Sequence, residues 1–214
     1  GFTDTDFTQE GANVLNFTGD KSKYVKLPKG LIDDETFTIS TRFSTSTGAN
    51  HWLYTFGTKI GEWPNVNNYI FLNPKQSNST MRFGIKNATA EVLFQNASIN
   101  SGEYNTVTAA FEPGKISIYL NGQLKGSKSH SYSVMDILSK GVIDPNDCIG
   151  YIGKSLYTPD PAFIGKLVDF KVYDYTLSAS DIESKKMQEN KDSLAWDLAA
   201  LTLGDTSAVK SDIV

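Results

Sequence analysis

Residues 147–178, DCIGYIGKSLYTPDPAFIGKLVDFKVYDYTLS, decide the fold. Cys148–Gly153 is short, apolar and β-prone. A polar, aromatic and proline-bearing loop, Lys154–Pro161, follows. Phe163–Tyr173 then alternates, with Leu167, Asp169, Lys171 and Tyr173 on one face and Val168, Phe170 and Val172 on the other. A period of two over this length predicts a sheet strand. Ser178 begins a helix, with Asp181 three residues on as its capping partner.

The same period recurs towards the N-terminus. Strands are expected at Asn13–Gly19, Tyr24–Pro28 and Phe37–Ser44. In the last, Phe37, Ile39, Thr41 and Phe43 point inward and Thr38, Ser40 and Arg42 outward. Trp52–Gly57 follows, with Trp52, Tyr54 and Phe56 on one face and read as core. A long loop, Thr58–Asn68, precedes Tyr69–Asn73, and Met81–Ile85, Val92–Ala97 and Asn105–Glu112 come after it. Pro113-Gly114 turns into Lys115–Leu120. Asn121-Gly122 is a type I′ hairpin signal leading into Gln123–Gly126. Ser133–Leu138 reads as one helical turn, and Ser178–Asn190 as a polar helix. So many short strands separated by turn signals predict an all-β sandwich.

The chain has 214 residues, 39% of them hydrophobic and 12% aromatic, enough to fill the space between two sheets in one large domain. The net charge of −4, with no basic run, argues against nucleic acid and anionic membrane surfaces. No apolar stretch approaches the ~20 residues that cross a bilayer. The chain starts at Gly1 without a signal-peptide pattern, and is expected to be an excised or mature fragment. Cys148 is the only cysteine, set among apolar strand residues, and is expected to be a buried, inert thiol. Four Asn-x-Ser/Thr sequons, at Asn16, Asn78, Asn87 and Asn96, fit a chain rich in these residues and are read as composition.

The order Ile152-Gly153-Lys154-Ser155, Tyr157, Asp160-Pro161, Phe163, Gly165, Asp169, Lys171, Tyr173, Leu177-Ser178 resembles the closing segment of the laminin-G-like, concanavalin A-like jelly-roll domains of secreted bacterial polysaccharide-degrading proteins. The opening pattern from Asn13 to Ser40 and the Tyr119-Leu120-Asn121-Gly122 hairpin resemble the same family. The likeness spans about Asn13 to Glu183. It departs at Tyr104-Asn105, where the family has Trp-His. It implies a jelly-roll sandwich of two antiparallel sheets with a short C-terminal helix over residues 1–190. Residues 191–214 are read as a linker and the first strand of a truncated immunoglobulin-like domain, similar to those that follow such modules. The family also implies a non-catalytic carbohydrate-binding module, secreted or at the bacterial cell surface and attached to a glycoside hydrolase acting on arabinan or a similar glycan. Two alternatives stay open: a protein-interaction or spacer domain, and a cryptic glycan hydrolase.

Glycoside cleavage needs two carboxylates at a set separation. The nearest strand motif, Asp169-Phe-Lys-Val-Tyr-Asp174, puts its two Asp on opposite faces, so no catalytic residue is assigned. Sugar recognition needs a flat aromatic ring surrounded by amides and carboxylates. Two loops have that composition, with Trp63, Asn67 and Asn68 in one and Tyr157 and Asp160 in the other. Trp63 is expected to stack, Tyr157 to flank, and the remaining three to take hydroxyls. For metal, the resemblance makes the terminal strands neighbours and suggests a structural calcium ion held by Asp20, Ser22 and Asp169.

Overall fold

The computed structural model describes residues 1–10, 13–46, 50–62, 65–76, 80–88, 90–131, 133–139 and 148–183. A 3-10 turn, Asp4–Asp6, leads into β1 (Phe7–Gln9), β2 (Asn13–Thr18), β3 (Val25–Lys26), β4 (Phe37–Ser44), β5 (Tyr54–Gly57), β6 (Tyr69–Asn73) and β7 (Met81–Asn87). Then follow β8 (Ala90–Ala97), β9 (Tyr104–Glu112), β10 (Lys115–Leu120), β11 (Gln123–Ser129), helix α1 (Val134–Ser139), β12 (Ile149–Ile152), β13 (Ile164–Tyr173) and helix α2 (Ala179–Glu183). One sheet runs β1-β2-β13-β4-β9-β10-β11, the other β3-β12-β5-β6-β7-β8. This is the expected antiparallel jelly-roll sandwich.

Alternation builds the core. Ile39 and Phe43 of β4, Val107 and Phe111 of β9, and Ile116 and Ile118 of β10 meet Tyr54, Phe56, Ile70, Leu72, Phe83 and Ile85 of the second sheet. Phe170 of β13 reaches Tyr54 edge-on at 5.4 Å between ring centroids and so ties the sheets together. Each large buried side chain contributes roughly 1.5–3 kcal/mol.

The expected faces of β13 need one correction. Leu167 and Phe170 both point into the core, although they stand three positions apart, an odd spacing. Leu167 pairs with Phe43 and Asp169 with Arg42, which leaves Val168 as the extra residue of a bulge. The bulge exchanges the two faces midway, a change that period-two reading cannot register.

Trp52 is a second correction. Tyr54 and Phe56 are core residues, but β5 begins only at Tyr54. A bend at Leu53 leaves Trp52 on the opposite, outer face.

The turn chemistry follows the sequence. Asn121 and Gly122 have φ of 51° and 80°, the left-handed pair of a type I′ hairpin. Ser178 caps α2, its Oγ accepting from Asp181 N–H at 3.2 Å. The short edge strand β1 pairs antiparallel with β2, Phe7 opposite Leu15. The expected continuation of the last helix to Asn190, and the following domain over 191–214, lie outside the described residues.

Candidate functional site

The outer face of the six-stranded sheet carries the site. The residues out of phase with the core are Thr55 on β5, Tyr69 and Phe71 on β6, Arg82 on β7 and Glu91 on β8. Together with Trp52 they line an open pocket of about 300 Å³, small among ligand sites. Ser155, Leu156, Tyr157 and Asp160 of the loop between β12 and β13 form its remaining wall.

This loop is fixed at several points. Leu156 is buried against Val66 and Tyr151 on the outer face. Thr55 Oγ1 donates to Lys154 O at 2.9 Å. Lys21 Nζ donates to the carbonyls of Thr158 and Pro159 at 2.9 and 3.2 Å. The loop is also zipped to the long 58–68 connection. Gly61 N–H donates to Leu156 O and Thr158 N–H to Gly61 O, both at 3.0 Å, and Tyr157 Oη donates to Val66 O at 2.7 Å. The two loops singled out from composition therefore meet in space.

Four rings form a continuous run. Trp52 lies 6.3 Å from Phe71 at 47°, Phe71 lies 5.6 Å from Tyr69 at 59°, and Tyr69 lies 6.1 Å from Tyr157 at 72°. Such tilted and edge-on contacts suit the ring quadrupoles and fix each ring's orientation. Gly84 makes room for the run. A Cβ there would come within 2.6 Å of the Phe71 ring and 2.7 Å of Leu93.

Polar groups stand beside the rings. Arg82 Nη2 reaches both oxygens of Glu91, at 3.1 and 3.4 Å, and its guanidinium sits 5.1 Å from the centre of the Phe71 ring. Tyr69 Oη donates to Glu91 Oε1 at 3.1 Å. Burial, and then the Glu91 charge, raise the Tyr69 phenol above its ordinary pKa. Ser155 Oγ donates to Asp160 Oδ2 at 2.5 Å and accepts from Tyr157 N–H at 3.0 Å. Desolvation pushes the Asp160 carboxyl upward, against the opposing pull of the Ser155 hydrogen bond.

Of the residues proposed for sugar contact, Tyr157 and Asp160 share this pocket. Asn68 is only 7% exposed and spends its Oδ1 on Ala88 N–H at 2.9 Å, which ties β6 to the β7–β8 turn. Asn67 is half-buried in the same loop and outside the pocket lining. Trp63 lies outside the described residues. Composition missed Trp52, Phe71, Arg82 and Glu91. A signal was present: Tyr69–Leu72 is apolar throughout instead of alternating, so its outer face too carries rings.

The calcium ligands are not brought together. β2 and β13 are neighbours, as expected, with Thr18 opposite Ile164. That register sends Asp20 past one end of the pair and Asp169 towards the other, about 20 Å apart along the strands. Asp20 Oδ1 accepts from Ser22 N–H at 2.8 Å as a turn former, and Asp169 pairs with Lys171 at 3.5 Å. The set Asp20, Ser22 and Asp169 therefore does not fit one ion. Among the described residues, no group of three or more His, Cys, Asp or Glu could hold a metal. Cys148 is buried and free, its thiol pushed up to about 12 by desolvation.

An antiparallel jelly roll with an aromatic pocket on one sheet defines a lectin-like sandwich. Residues 18–183 match the concanavalin A-like lectin/glucanases superfamily, in its laminin G-like branch, and the chain belongs to that family. No curated protein matches the sequence. Among solved structures, domain 4 of the GH43 extracellular arabinanase AbnA from Geobacillus stearothermophilus, in complex with arabinotriose, is similar at a TM-score of 0.65 and 18% identity, over 83% of this chain and 79% of that one. The CBM40 of a Ruminococcus gnavus sialidase, bound to α2,3-sialyllactose, gives 0.59 and 16%, over 79% and 99%. Domains LG4-5 of the mouse laminin α1 chain give 0.55 and 13%, over 78% and 43%. At these identities the likeness establishes the fold.

Proposed function

We propose that this domain is a non-catalytic carbohydrate-binding module of a secreted bacterial glycan-degrading protein, holding attached catalytic domains close to polysaccharide. The observation that carries the reading is the run Trp52–Phe71–Tyr69–Tyr157 beside Glu91, Arg82 and Asp160 in one open pocket. A sugar ring presents C–H faces to aromatic rings and hydroxyls to carboxylates, and this pocket offers both. Family membership and the sugar-bound relatives support the same reading.

A shallow, wet site of this kind predicts affinity no better than about micromolar. Its benefit is local concentration on the substrate. A glycan array tests the reading. Plant or mucin glycans should bind, and Trp52→Ala and Tyr157→Ala should each weaken the signal strongly. Silence on the array with capture of protein ligands would replace it with protein interaction. Product release from labelled polysaccharide would replace it with hydrolysis.

A further inference from the structure

We infer that the pocket selects neutral oligosaccharides and rejects chains bearing a carboxylate, such as sialylated or uronate-containing glycans. This deepens the glycan-binding reading and rests on it. Fold similarity does not choose, because one relative holds neutral arabinotriose and another holds anionic sialyllactose. The charges lining the pocket make the choice.

Two carboxylates, Glu91 and Asp160, stand against a single lining guanidinium, Arg82. Recognition of a carboxylate favours a free, forked arginine. Arg82 presents no such fork: its Nη2 contacts both oxygens of Glu91, its guanidinium carbon sits 5.1 Å from the centre of the Phe71 ring, and its Nε, without a hydrogen-bond partner, is buried out of a ligand's reach. The neighbouring lysines are engaged as well. Lys21 is held by the Thr158 and Pro159 carbonyls, Lys86 lies 5.8 Å over the Tyr69 ring and Lys154 lies 4.2 Å over the Tyr24 ring. An acidic sugar would place a third anion near two carboxylates, one of which desolvation already disfavours as an anion. Neutral hydroxyls instead donate to these carboxylates in charge-assisted hydrogen bonds.

An array of matched sialylated and desialylated chains, together with neutral and uronate oligosaccharides, tests this. Calorimetry with arabinotriose and α2,3-sialyllactose then gives affinities. Neutral chains should bind, and their acidic counterparts should bind at least about tenfold more weakly at low salt. The gap should narrow as salt rises. Glu91→Gln, which removes the carboxylate charge that Arg82 Nη2 contacts, should narrow it further by strengthening sialyllactose binding; Asp160→Asn is the second variant if the first folds poorly. Acidic chains that bind as well as neutral ones, and lose binding in Tyr157→Ala, would overturn the charge selection while leaving a glycan site. No binding of any chain would remove both this inference and the glycan reading.

Discussion

Tyr157 donates its hydroxyl proton to the backbone carbonyl of Val66 at 2.7 Å, across 91 positions of sequence. The same ring meets Tyr69 edge-on at 6.1 Å. One residue thus joins the two long loops and closes one end of the aromatic run. Its hydroxyl serves the fold and its ring serves the pocket.

Conservative and drastic changes at Tyr157 should therefore separate. Tyr157→Phe keeps the ring but leaves the Val66 carbonyl without this donor, and should cost about 1 kcal/mol of stability with a small loss of glycan affinity. Tyr157→Ala removes the ring and should weaken binding roughly tenfold or more. Thermal denaturation and calorimetry on both variants check this. Equal affinities for the two would detach the ring from recognition.

Gly84→Ala should disturb the pocket from beneath. The added methyl meets the Phe71 ring at 2.6 Å and Leu93 at 2.7 Å. Overpacking of this kind costs about 1–3 kcal/mol, and Phe71 must tilt to relieve it. A lower unfolding midpoint together with weaker glycan binding is expected. An unchanged midpoint would mean that the ring yields freely.

His51 should make stability depend on pH. Its ring is buried, stacks on Phe163 at 5.1 Å and accepts Ile164 N–H on Nδ1 at 3.1 Å. Desolvation, and then Lys75, pull its pKa from 6.5 down to about 4. The unfolded chain therefore takes up a proton first as pH falls. The stabilisation is complete above 6.5 and is lost progressively down to about 4, by roughly 3 kcal/mol at most. Asp160 acts in the opposite sense: its raised carboxyl pKa favours the folded state at lower pH. Urea unfolding across this range should show a positive slope that His51→Gln flattens; the same slope in the variant would assign it to other groups.

Thorough chelation should leave the unfolding midpoint unchanged, because the strand register separates Asp20 from Asp169. Differential scanning calorimetry with and without EDTA measures it. A fall in the midpoint would mean an ion held by other ligands.

The strands were legible because local chemistry sets them. Alternation in Phe37–Ser44 marks a face, and Asn121-Gly122 permits the left-handed turn that pairs β10 with β11. Ser178 with Asp181 announces α2 in the same way. The loops of the site were legible from composition only, through Tyr157 and Asp160. Arg82 lay within the expected strand Met81–Ile85 and Glu91 just before Val92–Ala97, and nothing local shows that β7 and β8 present them to the same space as a loop about 70 residues further on.

Sequence alone determined the sandwich, its family and most strand boundaries, because hydrophobic period, turn residues and caps act over a few neighbouring positions. Tertiary structure alone decided the bulge at Val168, the outward turn of Trp52, the separation of Asp20 from Asp169 and the assembly of the pocket. Each of these depends on register between strands distant in sequence. A shift of one residue in register moves a side chain to the opposite face of a sheet, and only the packed core fixes that register.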